Sequence, residues 1–172
     1  VPAKNIFPLA SERSLGKQVS YGNNNIDVDD LATFDFSKVQ IGLFSAGASV
    51  SEVYAIKAAA AGCVVIDNTS HFRTRDDIPL VVSEVNPEKI SEYVSTGIIA
   101  NPNCSTMQML VALKPIHDAV GIARINVATY QAVSGAGKKA IEDLVHQTSA
   151  LLNGRPVKLT GANKQIAFNA IP

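Results

Sequence analysis

Short apolar runs alternate with stretches of helical period along most of this chain, the pattern of an α/β fold. Ile6 to Ala10 reads as a first strand, and Val39-Gln40-Ile41-Gly42-Leu43-Phe44 as another that runs into Ser45-Ala46-Gly47-Ala48. A helix is predicted next, with Ser49 as its cap and Glu52 completing a capping box. Its Ala-rich interior extends from Val53 to Ala61, and Gly62 stands where a helix ends. Cys63-Val64-Val65-Ile66-Asp67 is nearly continuous in apolar character, as a strand covered on both faces must be.

A polar turn over residues 68–77 leads to the short run Pro79-Leu80-Val81-Val82. Asn86-Pro87 opens a predicted helix, with Asn as cap and Pro at its first position, and Gly97 ends it before the strand Ile98-Ile99-Ala100. After Asn101-Pro102-Asn103-Cys104 the pattern predicts a helix with Met109, Leu113, Ile116 and Val120 on its apolar face. Pro115 should kink that helix or end its first part, because it removes a backbone donor. The grammar then changes. Arg124 to Ser134 reads as one long β-type segment, followed by a helix with Ile141, Leu144, Val145 and Leu152 on one side, ending at Asn153-Gly154. A domain boundary near residues 120–124 is the simplest reading.

Composition narrows the function classes. The 172 residues carry 15 Lys+Arg against 15 Asp+Glu, a net charge of zero, so no basic field invites nucleic acid or anionic lipid. A hydrophobic share of 47% supports a packed core and argues against disorder. No apolar run approaches the roughly 18–20 residues of a membrane helix, and the start lacks a charged region followed by an apolar one. A cytoplasmic protein is the expectation. The chain begins at Val1 without Met and stops at Phe168-Asn169-Ala170-Ile171-Pro172, which predicts a piece of something longer.

Cys104 is the most informative position. It follows a strand and a Pro turn at the first turn of a predicted helix, where unpaired N–H groups favour a thiolate. A buried structural cysteine is the competing reading, and it is the preferred one for Cys63 inside a strand. Arg73, in the turn after a core strand, suits bidentate capture of a carboxylate or phosphate, although most loop arginines are simply solvated. Arg75, next to Asp76 and Asp77, reads as locally neutralised surface. Ser11, Arg13 and Ser14 lean toward a 2′-phosphate; Glu12 points the other way, and a plain polar turn fits the spacing as well. Ser45-Ala46-Gly47 before a helix admits a phosphate, yet no GxGxxG occurs, and Gly135-Ala136-Gly137-Lys138 fails as a P-loop. His71, His117 and His146 are scattered, and with two cysteines in unrelated contexts no metal motif forms.

Taken in order, Leu9-Ala10-Ser11-Glu12-Arg13-Ser14-Leu15-Gly16-Lys17, Phe44-Ser45-Ala46-Gly47, Val65-Ile66-Asp67-Asn68-Thr69-Ser70-His71-Phe72-Arg73, Pro79 to Asn86, Asn101-Pro102-Asn103-Cys104-Ser105-Thr106 and Tyr130 to Gly135 resemble the aspartate-β-semialdehyde dehydrogenases. The resemblance covers essentially the whole chain. It implies a Rossmann-like, doubly wound, mostly parallel sheet over residues 1–123 as a partial NADP-binding domain. Residues 124–172 would begin an α+β catalytic and dimerisation domain. The implied reaction is NADPH-dependent reductive dephosphorylation of L-aspartyl-4-phosphate to aspartate semialdehyde and phosphate, in lysine, methionine and threonine biosynthesis.

By the same resemblance Cys104 forms a thioester, Asn103 and Arg73 bind phosphate, and Gln131 positions the substrate. Ser11, Arg13 and Ser14 would hold the 2′-phosphate of NADP, Ser45, Ala46 and Gly47 would line the dinucleotide, and Ser134 and Gly135 would approach the nicotinamide. No metal is implied, and a homodimer is. The family's glycine-rich fingerprint, its acid/base His and its carboxylate-binding Arg find no counterpart here, so the chain alone is expected to be inactive. Two other readings remain: a related reductase acting on N-acetyl-glutamyl phosphate or of the glyceraldehyde-3-phosphate dehydrogenase type, and a non-catalytic nucleotide-binding fragment.

Overall fold

A computed structural model describes residues 3–157, 159 and 164–171. The terminal readings at Val1, Pro2 and Pro172 lie outside the described residues. The chain divides into two compact units, Val1–Ala123 and Arg124–Pro172.

The first unit holds β1 (Leu9–Ala10), β2 (Gln18–Tyr21), β3 (Asn24–Asp27), β4 (Asp29–Asp30), β5 (Ile41–Phe44), α1 (Ala48–Ala60), β6 (Val64–Asp67), β7 (Ile98–Ala100) and α2 (Cys104–Val120). Its centre is a parallel sheet in the order β5-β6-β7, extended by an isolated parallel bridge from Leu80 to Ala100. The fold is α/β with parallel sheets, of Rossmann-like type. Strand register sets where the loops emerge. Phe44 pairs with Asp67 and Asp67 with Ala100, so all three strands end level and deliver their loops to one edge. Backbone bonds stitch those exits together, Asn68 N–H to the Phe44 carbonyl and Asn101 N–H to the Asp67 carbonyl, each 2.8 Å.

The core explains this alignment. Val65 and Ile98 on the sheet meet Ala55 and Ala58 of α1, with Phe36, Phe44, Phe72, Cys63 and Ile78 filling around them. The small alanines let α1 lie close on the strands. Phe7, Phe34, Phe36 and Phe44 continue the packing as a ladder of rings with centroids 5.4, 5.4 and 6.4 Å apart.

Several elements depart from the sequence-based expectation, each for an identifiable reason. The first strand shrinks from Ile6–Ala10 to Leu9–Ala10: Pro8 has no N–H to donate, and its carbonyl already serves Asp29 N–H at 2.9 Å. An unforeseen antiparallel hairpin, β2-β3, turns at Gly22-Asn23. Ser49 does not cap α1, because the helix starts two residues earlier than that cap requires, at Ala48 with Gly47 at the cap. Residues Pro87–Ser95 form 3-10 turns, not an α-helix. The Asn86 amide that would cap them is spent upstream, accepting from Val82 N–H at 2.8 Å and donating to the Leu80 carbonyl at 3.0 Å. Helix α2 runs through Pro115 to Val120, and its predicted apolar face fades from half-buried Met109 and Leu113 to exposed Ile116 and Val120.

In the second unit a 3-10 turn, Val133–Ala136, precedes α3 (Lys138–Leu152). No strand forms over Arg124 to Ser134 among the described residues. The β pattern is present but finds no ladder to join, and Ile125, Val127 and Tyr130 stay exposed. The α3 face is likewise largely open at Ile141, Val145 and Leu152. What roots α3 is a polar contact that sequence reasoning missed. The buried Gln147 carboxamide oxygen accepts from Ile166 N–H (2.7 Å) and Ala167 N–H (3.2 Å).

Candidate active site

The level strand ends of the first unit bring three loops together: residues 45–47 after β5, 68–73 after β6 and 101–103 after β7. Parallel α/β sheets bind ligands outside such carboxyl ends. Cys104 is exposed and is the first residue of α2. Asn103 caps that helix, its side-chain oxygen accepting from Ser105 N–H at 2.9 Å, with the Cys104 Sγ 4.0 Å from the same oxygen. That oxygen is thus engaged at the helix start. Cys63, by contrast, is sealed in the core, and burial raises its thiol above the ordinary value.

Arg73 is half-buried and held by backbone. Its Nε donates to the Asn101 carbonyl and its Nη2 to the Asn68 carbonyl, both at 2.9 Å. Two of the five guanidinium donors are thus used on uncharged oxygens, and the charge sits against the turn that leads to Cys104. Arg75 behaves differently. It grips Asp77 through Nε (2.9 Å) and Nη2 (2.5 Å), which holds Asp77 below the usual carboxylate range and raises Arg75 in turn. Both are exposed, as a surface pair.

Three further groups were expected to meet the cofactor or the substrate. Ser11, Arg13 and the half-buried Ser14 lie on the 3-10 turn after β1, closed by Ser14 N–H to the Ser11 carbonyl at 2.8 Å. Ser45, Ala46 and Gly47 are exposed at the entry to α1. Gly47 has φ 108°, a backbone state few side chains tolerate, and the space where a Cβ would stand is open. In the second unit Gln131, Ser134 and Gly135 belong to one turn. A Cβ on Gly135 would collide with the Gln131 Nε2, so the missing side chain makes room for the Gln131 amide.

Sequence reasoning overlooked Asp67, Ser51 and Thr69, a buried polar cluster directly beneath the 68–73 loop. The signal was present as an acidic residue closing an otherwise apolar strand. His71 packs edge-on to Phe72 (4.6 Å), His117 Nδ1 accepts from Ile122 N–H (3.2 Å) and His146 is exposed on α3. Among the described residues no group of His, Cys, Asp and Glu is arranged to hold a metal, and no helix is long and apolar enough to cross a membrane.

The family model for semialdehyde dehydrogenase, NAD binding domain, matches residues 1–93, and that for semialdehyde dehydrogenase, dimerisation domain, matches residues 113–172. The chain belongs to the semialdehyde dehydrogenase family. Within it, an aspartate-semialdehyde dehydrogenase of Legionella pneumophila is 63% identical, covering 99% of this chain and 49% of that protein. The crystal structure of aspartate semialdehyde dehydrogenase II of Vibrio cholerae, complexed with ASA, superposes with a TM-score of 0.91 at 59% identity, over 98% of this chain and 50% of that one. A more distant member from Candida albicans, solved with NADP, gives a TM-score of 0.54 at 28% identity over 69% of this chain and 40% of that one. The resemblance to the aspartate-semialdehyde dehydrogenases therefore holds across the whole chain. The chain spans about half the length of the curated relatives it matches.

Proposed function

We propose that this chain carries the nucleophile and the phosphate-binding part of an enzyme that converts L-aspartyl-4-phosphate to L-aspartate-4-semialdehyde and phosphate with NADPH. The observation that supports it most is the exposed Cys104 at the start of α2, preceded by Asn103, with the Arg73 guanidinium bonded to the Asn101 carbonyl three residues earlier.

In this reading Cys104 attacks the acyl carbon as the thiolate, its proton released to solvent; a C–S bond forms, and the C–O bond to phosphate breaks with its electron pair on the leaving group. The free N–H groups of Arg73 and the Asn103 amide take up the charge on that phosphate. NADPH, when bound, supplies the hydride that reduces the resulting thioester. The open space at Gly47, with Ser45 and Ala46 exposed at the entry to α1, fits the dinucleotide phosphates. Ser11, Arg13 and Ser14 would hold the 2′-phosphate. On the second unit Gln131 would position the substrate, and Ser134 and Gly135 would face the nicotinamide. The same reading makes residues 1–123 the NADP-binding part and residues 124–172 the opening of a catalytic and dimerisation domain. It has the enzyme act in the cytoplasm as a homodimer, the latter supported by the dimerisation-domain match.

The substrate test is the phosphate-dependent oxidation of aldehydes with NADP by an enzyme bearing this sequence. Aspartate semialdehyde is expected to be used far better than N-acetyl-glutamyl semialdehyde or glyceraldehyde-3-phosphate; a preference for either of those overturns the reading. A second expectation concerns Arg13. Losing a charge-assisted contact to phosphate costs on the order of 10–100-fold in affinity, so Arg13→Ala should weaken NADPH by that factor and leave NADH nearly unchanged. Titrations in which both cofactors weaken equally would remove Arg13 from the 2′-phosphate site.

A further inference from the structure

Asp67 is fully buried at the end of β6, and a buried carboxylate is costly unless its lone pairs are well used. Its partners are neutral donors. Oδ1 accepts from Ser51 Oγ at 2.8 Å and from Thr69 N–H at 3.1 Å, and Oδ2 accepts from Thr69 Oγ1 at 2.8 Å. Thr69 Oγ1 in turn accepts from His71 N–H at 3.3 Å. Two short side-chain turns therefore shape the loop between Asp67 and Phe72. That shape decides where the Asn68 carbonyl stands, and this carbonyl holds Arg73 Nη2. Asn68 Oδ1 also accepts from Asn101 Nδ2 at 2.9 Å, tying the loop to the turn before Cys104. Through Ser51 the same carboxylate grips the first turn of α1, where Ser51 N–H donates to the Gly47 carbonyl.

We infer that Asp67 is a positioning residue. Through Thr69 and the Asn68 carbonyl it aims the Arg73 guanidinium at the anion that Cys104 works on, and through Ser51 it registers that loop against the entry of α1. This rests on the reading of Arg73 as the anion ligand, and the experiment separates the two.

The probes are iodoacetate, which is anionic, and iodoacetamide, which is neutral, reacting at Cys104 of this chain and followed by peptide mass spectrometry. Protection of the buried Cys63 from both reagents serves as the fold control. An aimed guanidinium accelerates iodoacetate selectively, and inorganic phosphate should abolish that advantage. Arg73→Gln is expected to lower the iodoacetate-to-iodoacetamide ratio by about tenfold, the order of one nearby charge in partly screened surroundings. Thr69→Val, which keeps the shape and removes the hydroxyl, should lower the ratio almost as far with the iodoacetamide rate near native, and Thr69→Ser should restore it. Asp67→Asn is the companion variant. General loosening would move both reagents together. A native ratio in folded Thr69→Val and Asp67→Asn, with Arg73→Gln lowered, overturns the role of Asp67 alone. A native ratio in Arg73→Gln overturns the anion reading and the inference with it.

Discussion

Replacing Cys104 with alanine is expected to reduce phosphate-dependent oxidation of aspartate semialdehyde at least about a thousandfold in an enzyme bearing this sequence, since the covalent step has no substitute nucleophile. The fold should not notice. Cys104 is exposed, and the α2 cap is made by the Asn103 side chain, which stays. Thermal unfolding of the variant should therefore match the parent. Cys63→Ala is the control, with the opposite signature. Its sulfur belongs to the core cluster beside Val65 and Ala58, so activity should persist while stability drops. Activity surviving in Cys104→Ala, with the protein intact by mass, would rule out the thioester route.

Phe72→Ala is expected to cost about 3–5 kcal/mol of stability, the range for removing a buried aromatic side chain. Phe72 is 1% exposed and among the largest fully buried side chains of the described residues. It stands between the polar loop after β6 and the core, one residue before Arg73, and its ring receives His71 edge-on. Urea unfolding read by circular dichroism measures the loss, and a drop under about 1 kcal/mol would mean the cavity collapses or fills without penalty. The neighbour matters as much as the cavity. With Phe72 gone the loop loses its apolar anchor, so phosphate affinity should fall together with stability.

Much of this was legible along the chain because its causes are local. The strands over 41–44, 64–67 and 98–100 follow from short apolar runs; β7 is buried throughout, whereas Ile41 and Leu43 of β5 stay exposed. Cys104 at the first position of α2 follows from the Asn-Pro-Asn turn, since Asn103 offers a side-chain oxygen where the helix has an unpaired donor. Gly62 and Gly97 mark element ends through their positive φ. Other local signals misled. Ser49 and Asn86 look like caps, but α1 already begins at Ala48, and the Asn86 amide is taken by the Val82 N–H and the Leu80 carbonyl. The segment from Arg124 to Ser134 shows that a β pattern states a preference and not a structure, because a strand exists only when a second strand accepts its hydrogen bonds.

Residue type and spacing thus determined the α/β class, the strand-and-helix order and the candidacy of Cys104 and Arg73, because each depends on side chains within a few positions of one another. Only the tertiary structure decided that β5, β6 and β7 end level, that Arg73 leans on carbonyls from two different loops, and that Asp67 lies beneath them accepting from Ser51, sixteen residues away. Those contacts join residues distant in sequence, and their geometry is set by strand register and by the burial of Phe72 and Val65, which no local pattern encodes.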